Sequence, residues 1–399
     1  MARPLGRARI FVLAGEPSGD VLGARLMRAL RLQGGDGFDF FGVGGPRMKD
    51  QGLDSLFPMD ELSLMGFTEV LPHVPRLWRR LAQTRREIVG RRPDMTLTID
   101  SPGFSLRLQQ RLGGMRLIRV HYVAPQVWAW RQGRAATLGT KIDHLLTLLP
   151  FEPPFFQRYG LDSSFVGHPI IEEAGRIGDG RRFRRRYEMP VDAPIICLLP
   201  GSRQAEIARH MPVLEATATR LWQCFPRIRL VLPTLPSLAP TLRGMVDHWP
   251  QAPLIMEERA DRFDAYAASL LAIAASGTVT LELALAGLPQ ITIYKTGAVT
   301  AWLARRMIHV SHVNLVNLIL NRPVVPEWLQ EDCDPDRITT SAVRLIRDES
   351  LREGQKAALG EVMTMLRGDG DAPPSQQAAK RVQDLLDQRG VVDDSWRTG

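Results

Sequence analysis

One pattern constrains the fold of this chain before any motif is read: short apolar runs alternate with amphipathic stretches, stop, and then begin again. Strand-like runs fall at 9–13, 38–43, 95–100, 117–122, 144–148 and 164–166, with helical patterns such as 21–32 and 76–89 between them. Runs that are apolar throughout, separated by helices, describe a mostly parallel sheet covered on both faces. After a Gly/Arg-rich break near 172–189 the alternation restarts with APIICLLPGSRQAE, RIRLVLPTL, PLIMEE and LLAIAASGTVTLELALAGLPQITIY. At 399 residues the chain is too long for one core. Two doubly wound α/β halves are expected: an N-terminal domain at 1–172, a linker at 173–189, a C-terminal domain at 190–345, and helices and a tail at 346–399 that can return to the first half.

A net charge of +8 points to anionic partners, nucleic acid, acidic lipid or a phosphorylated substrate, without choosing among them. The three cysteines, Cys197, Cys224 and Cys333, are far apart and lack C-x-x-C spacing. No disulfide framework or zinc site is expected, and the reducing cytoplasm is the expected compartment. No apolar run approaches the roughly 18 residues of a membrane span, so any membrane contact should be peripheral.

The chemistry should sit in loops at the carboxyl ends of the strands. In the second half, Pro200-Gly201-Ser202-Arg203 follows an apolar run and opens a helix. Backbone N–H groups, a helix N-terminus and an arginine fork suit an anion. An ordinary strand-to-helix turn with a surface arginine has the same letters. A second loop, Ser276-Gly277-Thr278, also lies between strand and helix, and Glu282 follows about one turn later. Two such loops favour a nucleoside diphosphate, with Glu282 in reach of its ribose.

The first half differs. GEPSGD carries Glu16, Ser18 and Asp20, where a phosphate loop should avoid negative charge. Asp100 ends another run, and His121, Gln126, Trp128 and Trp130 follow a third. Acids with aromatics suit a sugar, although Asp20 can equally cap its helix and the tryptophans and His121 can equally be core. A D-x-D at Asp334-Pro335-Asp336 has a spacing that could hold a divalent metal ion. Here Pro335 suits the first turn of a helix, and capping is the better account.

Taken in order, AGEPSGD, FGVGGPRM, MGFTEVLP, HYVAPQVWAWR, LPFEPPFF, VGHPI, LLPGSRQAEI and SGTVTLELALAG resemble the lipid-A-disaccharide synthase family over about residues 9–345. The resemblance implies two Rossmann-like domains facing a cleft, the GT-B type, and an inverting glycosyltransferase. Its substrates would be UDP-2,3-diacylglucosamine and 2,3-diacylglucosamine 1-phosphate (lipid X), and its products lipid A disaccharide 1-phosphate and UDP. By resemblance, Gly201, Ser202, Arg203, Ser276, Gly277, Thr278 and Glu282 would hold UDP. Ser18, His121, Gln126, Trp128 and Asn317, with Asn314 a rival for the last, would serve acceptor and sugar. Asp100 would be the base, Glu16 would orient it or the acceptor, and Arg203 would stabilise the leaving diphosphate. Where many relatives read Asp-Ala-Pro-Asp-Phe-Asn, this chain reads Asp100-Ser101-Pro102-Gly103-Phe104-Ser105, so the second acid cannot be a required base.

No cofactor and no metal are expected. Neither is nucleic acid, since no RNA-binding signature is present; the chain would be a monomer or homodimer. Both substrates carry acyl chains, which implies a peripheral enzyme on the cytoplasmic face of a Gram-negative inner membrane. The segment 75–92 has seven arginines and one glutamate. With Met65, Phe67 and Leu71 upstream, Trp78, Arg79 and Arg80 could meet anionic lipid, apolar side down; a helix packed on the sheet with a solvated basic face stands level with that reading. The Arg181–Arg186 cluster is expected to be a solvated linker face. Another UDP-sugar transferase or a UDP-N-acetylglucosamine epimerase would share the second-half loops. A non-catalytic membrane- or RNA-binding protein would explain the charge but not Glu16, Asp100 and Glu282.

Overall fold

The computed structural model describes residues 7–62, 74–130, 132–175, 178–297, 301, 310–368 and 370–390. The chain forms two compact units, Met1–Pro169 with Leu366–Gly399, and Ile170–Met365.

Unit 1 is built on a parallel sheet in the order β2-β1-β3-β4-β5-β6. The strands are β1 (Ala8–Ala14), β2 (Phe38–Val43), β3 (Met95–Ile99), β4 (Ile118–Tyr122), β5 (His144–Thr147) and β6 (Ser163–Phe165). Every residue of β3 and β5 is buried, as strands covered on both faces require. The helix Pro17–Gly34 follows β1, with proline in its first turn. Gly23 lets it close on β3 and on the turn of helix after β2, because a Cβ there would lie 3.1 Å from Ile99 Cδ1 and 2.6 Å from Met48 Sδ.

The helix Val74–Arg91 buries Leu81, Thr84 and Ile88 in this unit. Leu81 and Ile88 of its apolar side are therefore packed in the protein, as the second of the two readings of this segment has it, while Trp78 stays half exposed. The last described helix, Pro374–Asp387, buries Ala378, Ala379, Val382 and Leu386 in the same core as β1 and β2. Gln33 Nε2 donates to Gln376 O at 3.1 Å.

Unit 2 carries a second parallel sheet, β12-β11-β10-β7-β8-β9. Its strands are β7 (Ile195–Leu199), β8 (Arg229–Pro233), β9 (Leu254–Met256), β10 (Leu271–Ala275), β11 (Gln290–Tyr294) and β12 (Glu327–Leu329). The helix Glu349–Met365 belongs here, with Gln355 accepting from Gln290 N at 2.6 Å. The chain passes to unit 1 only at Leu366.

The stretch expected as a linker is part of unit 2. Asp179 caps a short helix, Gly180–Arg186, by accepting from Arg181 N and Arg182 N. Arg182 pairs with Asp264 at 2.6 Å and Arg186 with Asp261 at 2.8 Å, while Arg184 donates to the carbonyls of Pro190, Ala193 and Ala268. Asp261 and Asp264 are nearly enclosed, and a buried carboxylate needs such a partner. The cluster is solvated as expected at Arg181, Arg182, Arg185 and Arg186, but Arg182 and Arg186 also reach in to pair with the buried carboxylates at the helix Arg262–Ala268.

Candidate active site

In unit 1 the chain leaves β1 for β2 on one side and returns to β3 on the other, so the loops after β1 and β3 flank a topological switch point. These loops carry Glu16 and Asp100. Asp100 and Ser101 both take left-handed backbone, φ 52 and 45, and end β3 one residue before the expected limit. The corner is held from three sides. Asp100 N donates to Tyr122 O at 2.9 Å, Ser105 Oγ to Asp100 O at 2.8 Å, and Ser101 N to Asp100 Oδ1 at 2.8 Å. Ser101 Oγ reaches Glu16 Oε1 at 3.4 Å, and Gly15 permits the approach, since a Cβ there would lie 2.5 Å from that hydroxyl oxygen. Burial raises the proton affinity of Asp100, against the opposing pull of the Ser101 N–H.

Asp20 neither faces a ligand nor caps its own helix. It is 3% exposed, and its carboxylate accepts from Gly45 N, Arg47 N and Met48 N, each at 2.9 Å. It therefore anchors the loop after β2 to the helix after β1.

The residues expected to meet sugar divide. Ser18 and Gln126 are exposed. His121 is fully buried, with Nδ1 2.8 Å from Thr98 Oγ1 and no partner for Nε2 among the described residues. Burial lowers its pKa to about 4, so it is a neutral core histidine. Trp128 is also core: its indole N–H donates to Glu152 Oε1 at 3.0 Å, and its ring meets Phe151 edge-on. Glu152, which the sequence did not single out, also accepts from Leu148 N and Leu149 N.

Burial pushes Glu152 up to about 7 from 4.5, despite those three donors. The folded chain holds this proton more tightly than the unfolded chain does. Stability therefore falls as pH rises from about 4.5 to about 7 and then levels, a loss of about 3 kcal/mol in all. Thermal melts across that range should show the slope in wild type and a flatter curve in Glu152→Gln. An unchanged slope in the variant would contradict it.

Asn317 is placed otherwise than expected. Its Nδ2 donates to Val325 O and Glu327 Oε1, both at 2.7 Å, and its Oδ1 accepts from Val324 N and Val325 N, both at 2.8 Å. The amide has no capacity left for an acceptor. Its rival Asn314 caps the helix Leu315–Leu320 and donates to Thr292 Oγ1 at 2.5 Å.

In unit 2 the switch point lies between β7 and β10, and the loops beside it are Pro200–Arg203 and Ser276–Thr278. Gly201 has φ 118, a conformation that favours glycine. Arg203, 68% exposed, precedes the helix Gln204–Cys224. Glu206, at the capping-box position, accepts from Ser202 N at 3.3 Å and pairs with Arg203 Nη1 at 3.1 Å. His210 ties two loops together: Lys295 N donates to its Nε2 at 2.9 Å, which leaves Nδ1 to donate to Pro200 O at 2.7 Å. Ser276 Oγ donates to Val313 O, whereas Thr278 is exposed at the start of the helix Val279–Leu285. Glu282 pairs with Arg262 at 3.2 Å. Asp334 caps the helix Pro335–Arg347, and Asp336 accepts from Arg220 Nε at 2.5 Å, so D-x-D is structural.

Of the residues assigned to lipid, Met65, Phe67 and Leu71 lie outside the described residues. Arg80 is not available: it forks onto Glu61 at 2.9 and 2.5 Å and lies over the Phe57 ring. Arg79 is exposed, as is half of Trp78, whose ring carries the Arg111 guanidinium at 4.5 Å. No described helix is long and apolar enough to cross a membrane.

The family model for lipid-A-disaccharide synthetase matches residues 10–381. The chain belongs to that family. The lipid-A-disaccharide synthase of Rhodospirillum centenum is 48% identical over 391 residues, covering 98% of this chain and 97% of the relative. That of Gluconobacter oxydans is 45% identical over 379 residues, covering 95% and 91%. Among solved structures, a UDP-N-acetylglucosamine 2-epimerase superposes with a TM-score of 0.61 at 13% identity, covering 96% of this chain and 97% of its own. The calicheamicin glycosyltransferase CalG4 gives 0.56 at 15%, covering 96% and 99%. Like these, the family member described here has the two-sheet α/β architecture of GT-B enzymes.

Proposed function

We propose that the chain transfers the diacylglucosaminyl group of UDP-2,3-diacylglucosamine to O6 of 2,3-diacylglucosamine 1-phosphate. The products are UDP and the β-1,6-linked lipid A disaccharide 1-phosphate. The observation that carries this reading is the family match across residues 10–381, which encloses the loops at both switch points.

Unit 1 serves the acceptor. Asp100 takes the proton of the attacking hydroxyl, a role its raised proton affinity suits, and Glu16 orients the acceptor beside it. As the O6–C1 bond forms, the C1–O bond to UDP breaks on the opposite face, which inverts the anomeric centre. Unit 2 receives the leaving group. Arg203 and the first N–H groups of the helix Gln204–Cys224 meet the charge that grows on the diphosphate, and Glu282 takes the ribose. These donors supply the counter-charge without a divalent cation. The acyl chains bring the enzyme to the cytoplasmic face of the inner membrane as a peripheral protein, with Trp78 and Arg79 on the exposed basic side of their helix.

Arg203→Ala should lower kcat/KM by about 10²–10³-fold. Wild-type activity should persist in excess EDTA. Activity lost in EDTA and restored by Mg²⁺ would replace this account of leaving-group stabilisation with a metal-dependent one.

A further inference from the structure

Glu282 does not act from an isolated position. Arg262, which opens the helix Arg262–Ala268, brings Nη1 to 3.2 Å from Glu282 Oε2. Tyr266, four residues on and so on the same helix face, brings its hydroxyl to 3.5 Å from the same oxygen. The arginine and the carboxylate are largely withdrawn from water, with side-chain exposures of 26% and 22%. Arg262 Nε is buried without an acceptor among the described residues, and the guanidinium meets the Glu282 carboxylate through Nη1.

Tyr266 is fully enclosed, and burial first, then the Glu282 charge, push its hydroxyl well above the ordinary range. It remains a donor. The helix that carries both residues is itself pinned: Asp261 takes Arg186 and the Tyr187 hydroxyl, and Asp264 takes Arg182. The two donors are therefore held where they are.

From this geometry we infer that Arg262 and Tyr266 are positioning residues that fix the Glu282 carboxylate as an acceptor for the ribose hydroxyls of a ribonucleoside diphosphate. The inference rests on the UDP site proposed for unit 2 and extends it to the nucleotide's sugar. A carboxylate held in place by two donors discriminates strongly against a nucleotide that lacks a hydroxyl, because its remaining lone pairs are then left without a donor. A mobile carboxylate would turn to water instead.

The test is calorimetric titration of the full chain with UDP, 2′-deoxy-UDP and UMP. Wild type should bind UDP at least about tenfold tighter than 2′-deoxy-UDP. In Arg262→Met that ratio should fall to within about threefold, while the UDP-to-UMP ratio, which reports the diphosphate, stays unchanged. Arg262→Lys should recover part of the ratio. Tyr266→Phe removes one donor only and should give a smaller fall in the same direction, which keeps the test open if Arg262→Met does not fold. Folded variants that keep the wild-type ratio overturn the positioning role. Wild type that binds UDP without discriminating overturns the ribose role of Glu282 beneath it. Wild type that does not bind UDP overturns the reading of the site itself.

Discussion

Asp100→Asn should lower kcat by about 10²–10⁴-fold, the contribution of a positioned general base. The asparagine oxygen can still accept from Ser101 N, and asparagine tolerates the left-handed backbone at φ 52, so the corner after β3 should survive. The melting temperature should accordingly stay close to wild type, which separates lost chemistry from lost structure. The pH profile carries a second sign. Because burial raises the pKa of Asp100 above 3.8, the acid limb of kcat/KM should lie above the range of an ordinary aspartate. Activity of Asp100→Asn within about threefold of wild type would remove it as the base. Glu16, joined to the same corner through Ser101, would then be next to test.

The largest effect on stability is expected at Asp20. Its carboxylate satisfies three backbone N–H groups of the loop after β2, and alanine leaves all three without an acceptor. At about 1–3 kcal/mol for each orphaned donor, the loss should be on the order of 3–5 kcal/mol once partial access of water is allowed for. That is a large share of a domain's typical 5–15 kcal/mol, and it corresponds to a fall of about 10 °C in the unit 1 transition. Gly45 belongs to the same device, because a Cβ there would lie 2.6 Å from Asp20 Oδ2. Asp20→Asn keeps one acceptor and should fall between. A melting temperature for Asp20→Ala within about 2 °C of wild type would contradict the assignment.

The two sheets were legible because their strands are buried on both faces, and so read as uninterrupted apolar runs rather than alternating ones. The switch-point loops were legible for a related reason: a strand that ends in small or charged residues before a helical pattern marks its own carboxyl end. Side-chain partners were not legible. Asp20 meets Gly45 and Met48 across 25 and 28 positions, and Trp128 meets Glu152 across 24. Separations of that kind leave no periodic trace, so Trp128 and Asn317 read as ligand groups although their polar atoms are spent on the protein. The ion-pair partners of the basic runs were hidden in the same way. Charge is visible in a sequence, but Arg80, Arg182 and Arg186 are committed to Glu61, Asp264 and Asp261, and only the fold reveals those partners. Glu206 gave no such signal either, since the residue three before it is Arg203 rather than the Ser or Thr of a capping box.

Transfer is tested most directly by UDP release from UDP-2,3-diacylglucosamine, with and without 2,3-diacylglucosamine 1-phosphate, in detergent containing EDTA. An inverting transfer predicts release that depends on the acceptor and is matched mole for mole by a β-1,6-linked disaccharide 1-phosphate. Release that proceeds equally without the acceptor, or an acceptor-dependent product with the α configuration at the new bond, would contradict it.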